Sequence, residues 1–328
     1  MNDNLPLVSI ITPSYNQASY LEDTIRSVLA QDYPHLEYLL VDGGSTDGSL
    51  EIIQRYAADF AWWVTEPDHG QAEAINKGLQ RAKGKIVAWI NSDDLYLPGA
   101  VSQAVEVLNS RPDLGMVFGD ALTIDAEGHP LNILSFGDWG LSELMRFRII
   151  CQPSVFLRRE AVQHVGLLDE NFHFMLDHQL WLRIAVQWPI QHVAQLWAAA
   201  RHHPQAKNAA QGAGFSRETL QLLGWMQSAP DLANRFQHDH SHIAGGAYRL
   251  SARYLLDGGE FEAALKEYGR ALVNWPGYTL KHWHRILYAA LSLVGLKHLD
   301  HWYYRLNSPP NLAAYPQLKN WPGLALYP

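Results

Sequence analysis

The first hundred residues alternate between short apolar runs and amphipathic helical patterns, and this alternation constrains the fold more than any other feature. The apolar runs predict strands at residues 7–12, 36–41, 60–65 and 86–90. After each strand we predict a helix, mostly from apolar residues that recur at a helical period. This spacing is typical of βαβ units and predicts parallel strands with helices packed on the sheet.

Polar loops follow all four predicted strands. Ligands of open α/β sheets bind outside the carboxyl ends of the strands, so these loops are expected to converge on one site. No G-x-G-x-x-G pattern follows the first strand, which argues against a dinucleotide-binding fold and its glycine-rich pyrophosphate cradle. The loops are Thr12-Pro13-Ser14-Tyr15, Asp42-Gly43-Gly44, Glu66-Pro67-Asp68 and Ser92-Asp93-Asp94.

Two adjacent carboxylates, Asp93 and Asp94, follow the fourth predicted strand. Hard divalent cations prefer oxygen ligands, and Mg²⁺ is usually held by one or two carboxylates together with substrate phosphates. A metal bound here would neutralise a diphosphate without a glycine-rich cradle. The alternative is structural, because an Asp placed before a helix, here predicted from Pro98, can cap the first helical turn.

Composition restricts the partners and the compartment. The net charge is −8 and no basic run occurs, so nucleic acid is not an expected partner. The single cysteine, Cys151, excludes an intramolecular disulfide and fits a reducing compartment. The N-terminus lacks the basic and apolar regions of a signal peptide, and no apolar window reaches the roughly 20 residues of a membrane span. We therefore expect a cytoplasmic protein.

The 328 residues exceed one average domain, and the pattern changes near residue 212. We predict an α/β domain at residues 1–213 and an all-α domain at residues 214–328. Within the latter, Leu255–Pro276 resembles one tetratricopeptide-type hairpin without further copies. The apolar run at 286–296 is too short to span a bilayer and has aromatic and basic neighbours. It either lies on a membrane surface, packs as a core helix or forms a homodimer contact.

Six blocks of sequence, in family order, resemble family 2 glycosyltransferases of the GT-A fold. The resemblance implies a Rossmann-like mixed sheet with helices on both faces, followed here by the helical domain. It also implies a single inverting displacement that moves a sugar from a nucleoside-diphosphate sugar to an acceptor hydroxyl. The blocks are SIITPSYNQASYLEDTIRSVLAQDYP, LVDGGSTDGS, EPDHGQAEAINKGLQRAKGKIVAWINSDDLYLPGA, QPSVFLRREAVQHVGLLDE, DHQLWLRIA and RHHPQAK.

The resemblance assigns roles to individual residues. Asp177 matches the catalytic base, although an Asp that opens a helix is also a common cap. Asp94 and His203 match ligands of Mn²⁺ or Mg²⁺. The family signature is often D-x-D, whereas Asn91 and Ser92 precede the acidic pair here, so which of the two acids binds the ion stays open. Residues that match the donor-nucleotide site are Pro13, Tyr15, Asn16, Asp42, Gly44, Asp68, Asn76, Lys77 and Asp93.

The resemblance further implies a UDP-type donor, a glycan or lipid-linked acceptor, and a role in cell-surface polysaccharide or glycoconjugate synthesis. Such a protein would be cytoplasmic, either free or peripheral at the inner face of the plasma membrane. Two other functions are considered. A sugar nucleotidyltransferase usually carries a glycine-rich loop after the first strand, which this chain lacks. A sugar-nucleotide-binding scaffold without catalysis is disfavoured by the retained acids Asp42, Asp93, Asp94 and Asp177.

Overall fold

The computed structural model describes residues 5–203, 206–207 and 211–296. These residues form two compact units. One comprises 5–140 and 150–202, and the other comprises 141–149 and the described part of 203–296. Residues 141–149 thus group with the C-terminal helices, although they lie early in the chain. The predicted domain boundary at residue 213 stays a prediction, and residues 297–328 of the predicted C-terminal domain lie outside the described residues.

A mixed sheet forms the centre of the first unit and contains nine strands among the described residues. The strands are β1 (Val8–Ser14), β2 (Leu36–Asp42), β3 (Trp62–Thr65), β4 (Ile86–Trp89), β5 (Leu95–Tyr96), β6 (Met116–Ile124), β7 (Pro130–Leu134), β8 (Val155–Arg158) and β9 (Ile190–Arg201). Their order is β3-β2-β1-β4-β8-β6-β9-β5, and β7 pairs with β6.

The helices of the first unit connect these strands at the predicted positions, which confirms the α/β alternation. The helices predicted at residues 18–31, 49–56 and 71–82 end one or two residues earlier in the structure, at Leu29, Arg55 and Arg81. The helices are α1 (Ala18–Leu29), α2 (Ser49–Arg55), α3 (Gln71–Arg81), α4 (Ala100–Ser110), α6 (Arg159–Val165) and α7 (Leu176–Gln187), while α5 (Leu141–Met145) falls in the second unit.

The central strand β1 is buried along its whole length because helices cover both of its faces. Ile10 belongs to the core cluster that includes Leu21 and Ile25 of α1. On the other face Ile11 meets α3, where a β-carbon added at Gly78 would lie 2.5 Å from the Ile11 side chain. Glycine at this position therefore allows α3 to approach the sheet closely, which places the start of α3 beside the carboxyl ends of the strands.

The first four strands are parallel, so their carboxyl ends lie along one edge of the sheet. Ser14 of β1 is opposite Asp42 of β2, and Asp42 is opposite Thr65 of β3. The predicted convergence of the polar loops is thus confirmed. The sheet is mixed because β8 runs antiparallel to both β4 and β6.

The strand predicted over residues 149–158, with an interruption at Gln152-Pro153, is only partly correct, because the part before the interruption does not form. Residues 152–154 form a 3-10 turn, and β8 begins at Val155. Pro153 lies in this turn and has no N–H to donate to a neighbouring strand, so the chain leaves the sheet here. The turn is consequently free to pack beside the end of β4.

The second unit is helical, as predicted. The span 255–276, predicted as a helical hairpin, contains only the last residues of the helix His240–Asp257 and the whole helix Phe261–Asn274. These two helices share a core containing Leu255, Ala264 and Tyr268. No helix in the described parts of the chain has the length and apolar character needed to cross a membrane. The helices that follow α7 are α8 (Gly212–Ser228), α9 (Pro230–His238), α10 (His240–Asp257), α11 (Phe261–Asn274), α12 (Pro276–Thr279) and α13 (Trp283–Leu293).

Candidate functional site

The loop after β1 is fixed to the loop after β2 by hydrogen bonds. The Asn16 N–H donates to Ser45 Oγ at 2.8 Å, and the Thr46 N–H donates to Asn16 Oδ1 at 2.9 Å. Asn16 has a φ of 51°, in the left-handed region that asparagine adopts more readily than most residues. Pro13 is buried below the loop, whereas Tyr15 is 62% exposed. A rigid loop therefore presents an aromatic ring on which a flat ligand group can stack.

Asp42 organises the loop that follows β2. Its carboxylate is completely buried and accepts hydrogen bonds from the Gly44 N–H (3.1 Å), the Ser45 N–H (2.9 Å), the Ser45 hydroxyl and the Thr65 hydroxyl (2.6 Å). Gly44 has a φ of 82°, which favours glycine in this tight turn. Asp42 thus ties the β2 loop to β3, and its oxygens are engaged by protein donors.

Asp68 lies over Gly43, between the ends of β2 and β3. A β-carbon at Gly43 would approach Asp68 Oδ2 to 2.8 Å, so the carboxylate fills the space that a side chain there would take. Burial raises the pKa of Asp68, and the charges of Glu73 and Asp42 add to the increase. The acidic group at the surface of this part of the site is therefore Asp68, with Asp42 beneath it.

Lys77 is paired with two carboxylates. Its Nζ lies 2.9 Å from Glu66 Oε1 and 2.9 Å from Glu73 Oε1. Hydrogen bonds from Lys77 and His69 hold the pKa of Glu73 at about 2. The predicted approach of Lys77 to a diphosphate would require exchange of at least one of these partners.

Asn76 joins α3 to the loop between α6 and α7. Its side-chain amide donates to the Leu168 carbonyl (3.0 Å) and to Glu170 Oε1 (3.1 Å), and its Oδ1 accepts from the Leu168 N–H (3.0 Å). Asn76 is buried, so these contacts form a fixed link between two elements. The predicted contact between Asn76 and a nucleotide stays a prediction, whereas its link to this loop was not predicted.

The acidic pair at the end of β4 differs in the exposure of its two members. Asp94 is 6% exposed, and Asp93 is half-buried. Asp94 Oδ1 accepts from the Arg201 N–H at 3.0 Å, and Oδ2 accepts from the Asn91 side chain at 3.1 Å. Burial raises the pKa of Asp94 well above its ordinary value, and the charge of Asp93 adds to this. A bound cation would offset both the burial of the Asp94 charge and its repulsion from Asp93. The two carboxylates offer only oxygen ligands, so they fit a hard divalent metal.

The capping alternative for Asp94 is wrong. The helix that follows is α4, and it begins at Ala100 after the short strand β5. Gly99 occupies the cap position of α4, and no side chain caps this helix. Asp94 therefore has no role at a helix terminus. The two-residue strand β5, which pairs with β9, was not predicted.

Arg201 anchors the Asp93–Asp94 loop from below. Its guanidinium is completely buried and donates to the Asp93 carbonyl (Nε, 3.0 Å) and to the Ala126 carbonyl (Nη1, 2.8 Å). It also pairs with Asp23 Oδ2 at 3.2 Å. Sequence reasoning missed this role because most of its partners are main-chain atoms, which leave no residue pattern.

The turn between β6 and β7, to which Ala126 belongs, carries a second group of metal-ligand type. Ligand atoms of Asp125, Glu127 and His129 lie within 4.8 Å of one another. Asp125 Oδ1 accepts from the main-chain N–H groups of Glu127 and His129, and Oδ2 lies 3.0 Å from His129 Nδ1. Hydrogen bonds inside the turn account for this arrangement.

Asp177 lies in the first turn of α7, which packs against the end of β4. Trp181 of α7 stacks on Trp89 of β4 with ring centroids 5.2 Å apart. Asp177 and Trp181 are four residues apart and share a face of the helix, so Asp177 is carried toward the same strand end. The cap position of α7 is Met175, and the Asp177 carboxylate accepts a hydrogen bond from the His178 N–H at 2.7 Å within the first turn.

The raised pKa of Cys151 supports the placement of Asp94 and Asp177 near the same strand end. Burial raises the pKa of the Cys151 thiol, and the negative charges of Asp94 and Asp177 raise it further. Both carboxylates are therefore close enough to act on the same thiol. The adjacent residue, Gln152, donates from Nε2 to the Trp89 carbonyl at 2.8 Å and so holds the 3-10 turn against β4.

His203 belongs to the second unit and is buried there. Its carbonyl accepts from the Ala206 N–H at 3.0 Å. Its predicted partnership with Asp94 in metal binding stays a prediction.

Comparison with known proteins identifies one family, and its model covers most of the predicted site residues. The model for glycosyl transferase family 2 matches residues 9–161. TuaG of Bacillus subtilis (strain 168), named as a teichuronic acid biosynthesis glycosyltransferase, is 35% identical over 184 residues, which are 55% of this chain and 72% of TuaG. An uncharacterized glycosyltransferase of Rickettsia felis is 28% identical over 214 residues. That match covers 62% of this chain but only 36% of the relative.

Solved structures show the same fold. A mannosyltransferase of Pyrobaculum calidifontis, in complex with GDP-Man and Mn²⁺, has a TM-score of 0.58 at 22% identity over 92% of this chain and 88% of that chain. TarS 1-349 of S. aureus, in complex with UDP-GlcNAc, has a TM-score of 0.56 at 15% identity, covering 91% of this chain and 89% of that chain. At these identities the likeness concerns the fold.

Proposed function

The chain belongs to family 2 of the glycosyltransferases, and from that premise we propose that it moves a sugar from a nucleoside-diphosphate sugar to an acceptor hydroxyl with inversion at the anomeric carbon. The observation that carries the proposal is the convergence of Asp94 and Asp177 beside β4. Burial and the neighbouring Asp93 leave Asp94 with a charge that a cation would balance, and Asp177 is the acid that we assign to the proton transfer.

The donor nucleotide is proposed to bind across the loops after β1, β2 and β3. Tyr15 supplies an exposed ring, and Asp68 supplies a carboxylate at the surface of this edge. Asp42 and Gly44 shape the loop below, and Pro13 and Asn16 shape the loop beside it. We favour a UDP-type donor, although the solved structures include both UDP-GlcNAc and GDP-Man complexes.

The diphosphate is proposed to lie near the acidic pair. Asp94 would hold Mn²⁺ or Mg²⁺, His203 would complete the protein ligands, and Asp93 would contact the donor ribose or sugar. When bound, the ion supplies Lewis-acid stabilisation of the diphosphate leaving group. Arg201 keeps this loop in place through the Asp93 carbonyl and the main-chain N–H that it offers to Asp94.

Asp177 is proposed as the general base. Its carboxylate accepts the proton of the acceptor hydroxyl while the hydroxyl oxygen attacks the anomeric carbon, and the bond from that carbon to the diphosphate oxygen breaks on the opposite side. The stack of Trp181 on Trp89 fixes α7, so the carboxylate keeps its position relative to β4. General base catalysis of this kind contributes about 10²–10⁴-fold to the rate.

The acceptor is proposed to be a glycan or a lipid-linked sugar used in cell-surface polysaccharide synthesis. The name of TuaG, which concerns teichuronic acid, supports this class of product. The turn that contains Gln152 lies beside β4 and near Asp177, where an acceptor would approach. A cytoplasmic location follows as part of the same proposal, because nucleotide sugars are made in that compartment.

Replacement of the base tests the mechanism. Asp177→Asn should lower sugar transfer by about 10²–10⁴-fold, because the amide cannot accept the proton. Donor binding, measured by isothermal titration calorimetry with Mn²⁺ present, should stay near the wild-type value. A matched control is Asp59→Asn, an exposed residue just before β3, which should leave both quantities unchanged.

Two results would count against this function. Near-wild-type turnover of Asp177→Asn would remove Asp177 as the base. The complete absence of Mn²⁺-dependent release of nucleoside diphosphate from a panel of UDP, GDP and dTDP sugars, with donor binding retained, would instead support the sugar-nucleotide-binding scaffold.

A further inference from the structure

The outer face of α13, in the second unit, is apolar and exposed. Trp283, Leu287 and Val294 are 52%, 39% and 72% exposed. Together with the exposed Ala290 they follow a spacing of four, three and four residues, which places them in one stripe along the helix. Leu280, one turn earlier, extends the stripe and is also exposed.

The opposite face of α13 is occupied by the core of the second unit. Ala289 and Ser292 are buried, and Ala289 belongs to the cluster formed with Ala264 and Tyr268 of α11. The orientation of the helix is therefore fixed by its inner face. Within the described part of the chain, the exposed stripe is a surface separate from this packing.

The charge around the stripe is positive. Residues 275–296 contain no Asp or Glu, although the whole chain has a net charge of −8. They contain Lys281, which is exposed, and Arg285, whose nearest recorded acid is Asp257 at 3.8 Å. Burial, together with nearby cations such as Arg249 and Arg285, lowers the pKa of His282 to about 3. This end of the unit thus combines an apolar stripe with an exposed lysine, in a segment that contains no acid.

We propose that the outer face of α13 docks on an anionic lipid surface. Trp283 and Leu287 would enter the boundary between headgroups and acyl chains, and Lys281 would meet the anionic headgroups. The eleven residues of the helix measure about 16 Å, which suits a helix that lies flat in the interface.

The charge pattern favours a lipid surface over a second copy of the chain. In a symmetric contact between two copies through this face, neither copy would offer an acid from residues 275–296 to pair with Lys281 of the other. A bilayer of anionic lipids offers an apolar layer and negative charge in one surface. The proposal is independent of the proposed transferase activity, because docking requires neither donor nor acceptor.

Vesicle binding of the full chain tests the proposal. The protein should sediment with phosphatidylcholine vesicles that contain phosphatidylglycerol and bind much less to pure phosphatidylcholine. The double variant Trp283→Ser/Leu287→Ser should weaken this binding by more than about tenfold, because two large apolar side chains no longer enter the interface. Val273→Ser is the matched control, since Val273 is 85% exposed but lies on α11.

The contribution of charge is tested separately. Lys281→Gln should weaken binding to the anionic vesicles by about fivefold, since a basic residue near such a surface contributes about 1 kcal/mol. Lys266→Gln, an exposed lysine of α11, should have a smaller effect. Added salt should reduce binding of the wild type more than binding of Lys281→Gln.

Three outcomes would overturn the proposal. The first is no binding of the wild type to anionic vesicles. The second is unchanged binding of the double variant, or equal binding of the wild type to neutral and anionic vesicles. The third is light scattering that shows a wild-type dimer and a monomeric double variant without vesicle binding, which would assign the stripe to a second copy. Circular dichroism checks that the variants are folded.

Discussion

Two buried aspartates, Asp42 at the end of β2 and Asp94 after the end of β4, differ in how far the protein balances their charge. Asp42 accepts hydrogen bonds at both oxygens from the loop after β2 and from the neighbouring strand β3. Asp94 accepts one bond at each oxygen, lies beside a second acid, and has a pKa raised by burial. The charge of Asp42 is balanced by the protein, whereas the charge of Asp94 is only partly balanced.

The difference distinguishes an acid that stabilises the fold, Asp42, from an acid that we propose binds a cation, Asp94. Buried polar groups stabilise a fold when all of their hydrogen bonds are made, and they cost free energy when they are not. Asp42 therefore belongs to the framework of the site. The buried charge of Asp94 lowers the stability of the metal-free protein. This loss is expected of a group that we propose binds an external cation.

The largest expected contrast is between Asp42→Asn and Asp94→Asn. Asp42→Asn should lower the free energy of unfolding by about 3 kcal/mol, because its amide nitrogen would face N–H and hydroxyl donors. Asp94→Asn should leave the metal-free stability equal or higher and should lower Mn²⁺-dependent transfer by about 10²-fold or more. Urea unfolding and turnover of both variants measure the two effects. A larger loss of unfolding free energy in Asp94→Asn than in Asp42→Asn would contradict this interpretation.

The pH dependence of stability gives the next largest effect. Because the folded protein raises the pKa of Asp94, the metal-free protein should lose stability as pH rises from the ordinary carboxyl pKa of about 3.9 through the raised value. Asp94→Asn should remove this component of the slope, and Mn²⁺ should oppose it in the wild type. Thermal unfolding from pH 4 upward is the measurement, and parallel curves for wild type and variant would contradict the assignment.

Gly43→Ala should have a moderate effect. The new β-carbon would lie 2.8 Å from Asp68 Oδ2 and displace that carboxylate, so unfolding should become easier by about 1 kcal/mol and donor binding should weaken. The double variant Gly43→Ala/Asp68→Ala relieves the clash and should recover stability without recovering binding. Gly224→Ala on α8 is the control, because no atom lies within 4 Å of the added carbon. Unchanged donor binding in Gly43→Ala would remove Asp68 from the nucleotide site.

The smallest effect is expected for Lys77→Gln. Loss of the ammonium should raise the pKa of Glu73 from about 2 toward its ordinary value, which NMR titration can follow. Because Lys77 is already paired with Glu66 and Glu73, donor affinity should change by no more than about twofold. A loss of tenfold or more would show that Lys77 leaves these partners for the diphosphate, as the sequence comparison implied.

The sequence predicted those parts of the fold that rest on local patterns. Apolar runs and helical periods located β1 to β4, and the polar residues after them indicated the correct edge of the sheet. The strand β5 was missed because two residues carry no period. Residues 149–151 were predicted as strand because their apolar side chains dominate the local pattern, although Gln152 and Pro153 already indicated an interruption.

The candidate site was predictable only where a side chain itself carries the chemistry. The position of Asp177 beside β4 depends on the stack of Trp181 on Trp89, which joins residues far apart in the chain. The roles of Asn76 and Arg201 depend on main-chain partners in distant loops. No residue pattern reports such contacts, so they require the tertiary structure.

The link from Asn76 to Leu168 has a consequence for engineering. It connects the helix that starts on the donor side of the sheet to the loop that leads into the helix of Asp177. A chimera that exchanges residues 166–187 for those of a relative would change the proposed acceptor side but would also replace one end of this link. Acceptor specificity in this scaffold is therefore best transferred with α3 and that loop taken together from the same parent.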